Sequence, residues 1–229
     1  MKAVIMAGGR GERLRPFTYV VPKPLLPVNE TNAIENSISK LSRHGFQDFL
    51  ISVNYLKNKF DICLEYEKKF DINIKLVEEP KRMGTAGSLR YMSEDLKEPF
   101  LLQNGDLFAD VDYTKMYKKF SEYQCDCLVG MKKIEVQSLY GVIDVNDDFS
   151  VKRVVEKPTT TEWINSGIYI LKPDLIEMIG DKYTDITDLI SELLDQKRSI
   201  HTFDIGDRWI DIGKIEDYKK VENIIKTWK

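Results

Sequence analysis

Directly after the apolar run Val4-Ile5-Met6-Ala7, the segment Gly8-Gly9-Arg10-Gly11-Glu12-Arg13 sets three glycines within four positions. With no Cβ to block the approach, such a turn can aim successive backbone N–H groups at a phosphate. Arg13 and Arg15 add planar guanidinium forks that match two phosphate oxygens at once. An ordinary glycine-rich turn with solvated arginines reads the same way in isolation. Two familiar phosphate loops do not fit. No Gly-Lys-Ser/Thr follows, as a P-loop requires, and Leu14 stands where a dinucleotide fingerprint needs its third glycine. Downstream, Pro22, Pro24 and Pro27 are expected to hold Lys23 on a stiff, extended stretch where its charge is pre-positioned. The plain alternative is a surface lysine in a proline-rich loop.

A second glycine turn, Met83-Gly84-Thr85-Ala86-Gly87, follows Glu78-Glu79-Pro80. Small residues there let the main chain lie close to a flat ligand and read its edge. Asn104-Gly105-Asp106 follows another apolar run at the carboxyl end of a strand, where open α/β sheets bind ligands. A carboxylate beside a phosphate loop suits Mg²⁺, which takes one or two protein carboxylates together with phosphate oxygens and waters. Asp110 and Asp112 read as turn and helix-cap residues. Cys63, Cys125 and Cys127 sit in apolar patterns, and with only His44 and His201 in the chain there is no zinc ligand set.

These groups need a scaffold. Short apolar runs at 4–7, 49–53, 72–77 and 100–103 alternate with helical stretches at 33–44 and 57–69, the pattern of βα units in a mostly parallel sheet with helices on both faces. A helix is expected at 113–123. After Met131 the pattern turns β-rich, with runs at 141–145, 151–156 and 167–171, as in an inserted or appended region. Helices at 185–196 and 215–228 flank a strand at 199–205. No repeat or flexible linker interrupts the chain, so one continuous domain with halves at about 1–131 and 132–229 is expected. Hydrophobic residues make up 42% and charged residues 31% of 229, which excludes a disordered chain. The net charge of −3 is interspersed, which argues against a nucleic-acid partner. No run approaches the roughly 18 apolar residues of a membrane span, no secretory leader is read at the start, and a cytoplasmic location is expected. Trp228 and several aromatics make self-association conceivable.

Read in order with Tyr140-Gly141-Val142, Glu156-Lys157-Pro158, Asn165-Ser166-Gly167-Ile168-Tyr169 and Trp209-Ile210-Asp211-Ile212-Gly213, these segments resemble the sugar-1-phosphate nucleotidyltransferases, or NDP-sugar pyrophosphorylases. The resemblance runs from Lys2 to about Tyr218. It implies a Rossmann-like α/β fold with a β-rich sugar-binding lobe. The implied reaction is NTP plus sugar 1-phosphate giving NDP-sugar plus pyrophosphate. By position, Ala7, Gly8, Gly9, Gly11, Glu12 and Arg13 correspond to the triphosphate loop, Lys23 to the lysine after it, and Gly84, Thr85 and Gly87 to the base turn. Asn104 lies beside the nucleotide, Asp106 and Asp211 correspond to the Mg²⁺ pair, and Gly141, Glu156, Lys157 and Asn165 to the sugar-phosphate contacts. Arg13, Lys23 and Lys157 are the implied catalytic charges. A sugar phosphate, with its second pKa near 6, is already ionised at neutral pH and needs no general base. What the reaction needs is orientation and positive charge.

The base turn carries Glu79-Pro80, where thymidylyl and uridylyl members often have Gln-Pro. Met83-Gly84-Thr85-Ala86-Gly87 is similar to the Leu-Gly-Thr-Ala-Gly of guanylyltransferases. Val53-Asn54-Tyr55-Leu56 resembles a guanylyltransferase-like branch of bacterial surface-sugar pathways. GTP is therefore favoured, and glucosamine, mannose or heptose 1-phosphate are all open as acceptor. Thr31-Asn32-Ala33-Ile34 departs from the family's usual Lys-Pro pair. Rival readings are transfer to a phosphorylated non-sugar, a non-catalytic nucleotide-sugar sensor, and a glycosyltransferase using Asp110-Val111-Asp112.

Overall fold

The computed structural model describes residues 1–228. Its centre is a seven-stranded sheet in the order β10-β6-β9-β4-β1-β2-β3. These strands are β1 (Lys2–Met6), β2 (Asp48–Val53), β3 (Asn73–Glu78), β4 (Phe100–Asn104), β6 (Cys127–Gln137), β9 (Thr159–Leu171) and β10 (Ile200–Asp204). Every pairing is parallel except those of β9 with its two neighbours. Two small sheets stand beside it, β5 (Leu107–Ala109) with β11 (Trp209–Asp211), and β7 (Val142–Val145) with β8 (Val151–Val155).

The central strands are apolar throughout because both faces are covered. On β1, Ala3 and Ile5 enter one core with α1 (Ala33–Arg43), α2 (Glu65–Phe70) and α4 (Tyr113–Tyr123), while Val4 enters another with α3 (Gly84–Gly87) and α5 (Ile186–Asp195). The same period of two sends Leu101 and Leu102 of β4, and Ile170 and Leu171 of β9, to opposite layers. The helix α1 begins where Asn32 accepts a hydrogen bond from Glu35 N, and α4 where Asp112 accepts one from Lys115 N. The last helix, α6 (Ile215–Lys226), packs Val221 into a third cluster with Leu14, Leu26, Val28 and Phe108.

Three expectations change. The helix expected over 57–69 is a 3₁₀ stretch, Lys57–Leu64, before α2, because its buried residues Phe60, Cys63 and Tyr66 recur every third position. Lys23 does not lie on an extended stretch but opens a 3₁₀ turn, Lys23–Leu25, because Pro24 has the φ that a helical first turn needs. The β-rich region is not appended. β6, β9 and β10 extend the central sheet, and only the β7–β8 hairpin stands apart. The run expected at 167–171 is the end of thirteen-residue β9, whose exposed first half pairs with Lys132–Gln137. The three cysteines are buried and free, and no helix among the described residues is long and apolar enough to cross a membrane.

Between sheet and helices lies one buried polar chain. Tyr113 OH donates to Gln103 Oε1 at 2.8 Å, and Gln103 Nε2 donates to Ser37 Oγ at 2.7 Å. Burial pushes the Tyr113 phenol far up, so it stays a neutral donor. Removing that donor leaves Gln103 Oε1 unpaired in the core, at about 1–3 kcal/mol. Tyr113→Phe is therefore expected to lower the free energy of unfolding by about 1–3 kcal/mol, seen as a lower urea midpoint at an unchanged m-value, whereas an unchanged midpoint would show that the chain carries no weight.

Candidate functional site

The carboxyl ends of β1 and β4 open into a cleft of about 500 Å³, lined among others by Gly9, Arg10, Gly11, Arg13, Lys23, Arg82, Thr85 and Asp106. A smaller hollow of about 210 Å³ adjoins it, lined by Gly8, Glu79, Gly84, Asn104, Tyr183 and Asp185, and shares Gly9, Arg82, Thr85 and Asp106 with it. The glycines are needed where the chain threads past its own parts. A Cβ on Gly8 would stand 2.7 Å from Glu79 Oε1, and Gly11 has φ +60 with Thr18 Cγ2 2.9 Å from any Cβ. Nothing lies within 4 Å of a Cβ on Gly9, so that part of the loop faces open space. Ala7 is buried, its N–H extending the β1–β2 ladder to Ser52 O at 2.9 Å.

Asp106 and Asp211 are 105 residues apart and meet because β5 and β11 pair. Asp211 lies opposite Leu107, the residue after Asp106, and Ile212 N donates to Asp106 O at 3.4 Å. Lys23 Nζ lies between the two carboxylates, donating to Asp106 Oδ2 and, at 3.3 Å, to Asp211 Oδ1. Burial and then the charge of Asp106 push the Asp211 carboxyl above the usual carboxylate range, while Lys23 and Arg13 pull it back. Paired carboxylates that need a cation are a hard-cation donor set. No cluster of three or more His, Cys, Asp or Glu is placed to hold a metal among the described residues. Two carboxylates therefore fit a divalent ion whose other ligands are phosphate oxygens and water. Arg13 reaches the same corner, its Nη1 lying 3.8 Å from where a Gly213 Cβ would be.

The second turn is fastened to the segment before α5. Gly84 has φ +81, and a Cβ there would fall 2.4 Å from Thr184 O. Ala86 N and Gly87 N both donate to that carbonyl at 3.0 Å, and Ile186 N donates to Thr85 Oγ1 at 2.8 Å. Gly84 and Thr85 line the cleft; Gly87 is buried behind the turn, where Met83 Cβ and Lys182 O leave no room for a side chain.

Asn104 closes the floor. Gly167 passes so near that a Cβ would stand 2.5 Å from Asn104 Nδ2, and Asn104 Oδ1 is buried without a protein partner. Asn165 Oδ1 accepts from Gly167 N at 3.0 Å and from Tyr169 OH at 2.8 Å, so its carbonyl is committed to shaping β9. Gly141 and Glu156 meet at the base of the β7–β8 hairpin, where a Gly141 Cβ would lie 2.9 Å from Glu156 Oε2; Lys157 follows with φ 43. All three are exposed and line neither hollow, so Lys157 is not gathered with Arg13 and Lys23. Arg15 is turned to Glu12, at 3.3 Å, and over the Tyr19 ring rather than into the cleft. Glu12 lines the rim of the larger hollow.

Sequence reasoning passed over four lining groups: Arg10, Arg82, Tyr183 and Asp185. Tyr183 OH donates to Asp185, whose carboxylate also accepts Thr85 N at 3.3 Å, and Arg82 lies over the Tyr183 ring. In sequence, Asp185 reads only as the first residue of the helix expected at 185–196. In sequence, Glu79 reads as half of Glu-Pro, and only the fold buries its carboxyl. Its Oε1 accepts Ser52 Oγ and its Oε2 accepts Met83 N at 3.4 Å. Burial pushes the Glu79 carboxyl up, against the hydrogen bonds from Ser52 and Met83 and the nearby charge of Arg82.

The chain is 34% identical over 227 residues to the mannose-1-phosphate guanyltransferase 2 of Candida glabrata, covering 95% of this chain and 63% of that protein. It is 31% identical to a UTP–glucose-1-phosphate uridylyltransferase of Synechocystis, covering 95% and 61%. The chain thus spans less than two thirds of these curated relatives. Among solved structures, HddC from Yersinia pseudotuberculosis superposes over 100% of this chain and 99% of its own, with a TM-score of 0.75 and 27% identity; HddC complexed with GMP-PN gives 0.73. A putative glucose-1-phosphate thymidylyltransferase from Bacillus anthracis, 20% identical with a TM-score of 0.79, shares the fold. Residues 2–227 match the nucleotidyl transferase family, so the chain that brings two glycine turns and an aspartate pair to one sheet edge belongs to that family.

Proposed function

We propose that this protein transfers a guanylyl group from GTP to a sugar 1-phosphate, releasing pyrophosphate. The observation that carries the proposal is the Asp106–Lys23–Asp211 cluster under the glycine loop, with Arg13 at its edge. In this reading the N–H groups of Gly8 to Gly11 and the Arg13 guanidinium hold the triphosphate, and Lys23 neutralises the charge that grows on the transferring phosphoryl group. Asp106 and Asp211 would hold Mg²⁺, which supplies further positive charge at the phosphate oxygens. The sugar phosphate attacks as an ionised oxygen, so no side chain has to take a proton. Residues 1–131 would serve the nucleotide. Residues 132–229 would serve the acceptor through Gly141, Glu156, Lys157 and Asn165, within one domain acting in the cytoplasm. Relatives named for mannose 1-phosphate support a mannose-type acceptor.

Glu79 supports the choice of base. Guanine presents two donors side by side, N1–H and N2–H, which one carboxylate can accept together. Uracil and thymine present an acceptor beside a donor, which suits the glutamine of Gln-Pro members.

Pyrophosphate release measured with Mg²⁺ over five nucleoside triphosphates and a panel of sugar 1-phosphates tests the reaction. Release is expected only with both substrates present and to be greatest with GTP; no release with any pair overturns the proposal. Asp106→Asn is expected to keep the circular dichroism of the native chain and to lose on the order of 10² to 10³ in rate. Full activity would remove Asp106 from the metal. Because Glu79 must be ionised to accept both guanine donors and its carboxyl is raised, kcat/KM for GTP should rise with pH through a limb above the usual carboxylate range. Glu79→Gln should flatten that limb and reduce the preference for GTP over UTP by about ten- to hundredfold. An unchanged preference would clear Glu79 of base reading. Asp211, also raised, disfavours the folded state once it ionises, so Mg²⁺ with GTP should raise Tm more at pH 7.5 than at pH 5. Equal gains at both pH values would argue against metal at this pair.

A further inference from the structure

We propose that Arg82 is a second base-reading residue: its guanidinium donates to O6 and N7 of guanine while Glu79 accepts N1–H and N2–H, and the two together select GTP against ATP. The assignment rests on the guanylyl reading given above.

The backbone carries Arg82 to the base hollow. From Glu79 to Met83 the chain folds back on itself, with Met83 N donating to the Glu79 carboxylate at 3.4 Å. Asn54 Nδ2 holds the start of this loop by donating to Glu79 O at 2.8 Å. Residues 80–82 therefore arch from a buried carboxyl to the mouth of the hollow, and the exposed Arg82 lines both that hollow and the larger cleft. Its guanidinium lies over the Tyr183 ring, 5.7 Å from the centroid, within cation–π range. Tyr183 is held in turn through its OH, which lies 3.0 Å from each carboxylate oxygen of Asp185. The side chain is thus placed both by its own loop and by the segment that enters α5.

Structural pairing does not occupy this arginine. Among the described residues Arg82 forms no ion pair, whereas Arg15, Arg90, Arg153, Arg198 and Arg208 each do. Its charge also acts on the base side of the cleft. Against the burial that raises the Glu79 carboxyl, the opposing charge is Arg82; against the burial and the Asp106 charge that raise Asp211, the opposing charges are Lys23 and Arg13.

Chemistry then assigns the atoms. Along one edge guanine presents, in order, the acceptor O6, the donor N1–H and the donor N2–H. A carboxylate that takes both donors leaves O6 beside it, and N7 follows O6 around the ring. A guanidinium next to that carboxylate completes the match, because its planar fork reaches two acceptors at once. Adenine carries an amino group in place of O6 and an acceptor in place of N1–H. It would set donor against donor at Arg82 and acceptor against carboxylate at Glu79.

Calorimetric titration of the full chain in Mg²⁺ with GTP, 7-deaza-GTP, ATP or UTP, and with no sugar phosphate present, tests this without turnover. 7-Deaza-GTP replaces N7 by C–H and leaves O6, N1–H and N2–H in place. The wild type is expected to bind GTP about tenfold more tightly than 7-deaza-GTP. Arg82→Met, at an exposed site, should keep the circular dichroism of the wild type and bind the two nucleotides equally. Its preference for GTP over ATP should fall by about ten- to hundredfold. Arg82→Lys keeps a charge beside Glu79 but not the fork, so it should lose most of the same preference; full retention overturns the two-atom contact. A ratio of GTP to 7-deaza-GTP affinity that is the same in the wild type and Arg82→Met overturns the proposal. Equal weakening of GTP and ATP does so too, and moves Arg82 to the phosphates. Failure of the guanylyl reading looks different: the wild type would bind UTP more tightly than GTP, which overturns both.

Discussion

Two carboxylates held against a single ammonium are the constraint around which the cleft is built. Asp106 and Asp211 repel each other, and burial raises the cost of ionising the second. They are brought together by the antiparallel pairing of β5 with β11, which sets Asp211 opposite Leu107. Lys23 relieves the repulsion from a turn whose prolines limit its backbone. Positive charge at this corner is what the paired carboxylates require.

The rest of the cleft is arranged by close approaches that only glycine permits. Gly8 passes over the Glu79 carboxyl, Gly84 lies on Thr184 O, and Gly167 lies on Asn104. Each contact locks a loop to a neighbour that is distant in sequence, so the loops behave as parts of the sheet edge. The hydrogen bonds from Ala86 and Gly87 to Thr184 O tie the second turn to the entry of α5 in the same way. Gly87 thus serves the site by packing, one layer behind the residues that line it.

The glycine loop and the β7–β8 hairpin differ in how they are covered. Around the glycine loop, the strands are covered on both faces and the loops are pinned to them. Around Gly141, Glu156 and Lys157, the backbone belongs to a ribbon with one uncovered apolar face. Lys157, next to that ribbon, is exposed and stands apart from Arg13 and Lys23.

Much of this was legible in the residues alone. Apolar runs of four to six residues, the helix cap Asp112, and the glycines at 11 and 84 are local signals, because burial on both faces, capping and positive φ each select residue types at the position itself. The ordered motifs named the family for the same reason. What the sequence left undecided were relations between distant positions. That Lys23 would bridge Asp106 and Asp211, that Gly87 would sit behind the turn, and that Glu79 would be buried beneath Gly8 follow from pairings across 25 to 188 residues. The central place of β6, β9 and β10 and the isolation of β7–β8 are of the same kind. Composition and periodicity report the face a side chain prefers, and only the closed sheet decides which neighbour covers that face or leaves it bare.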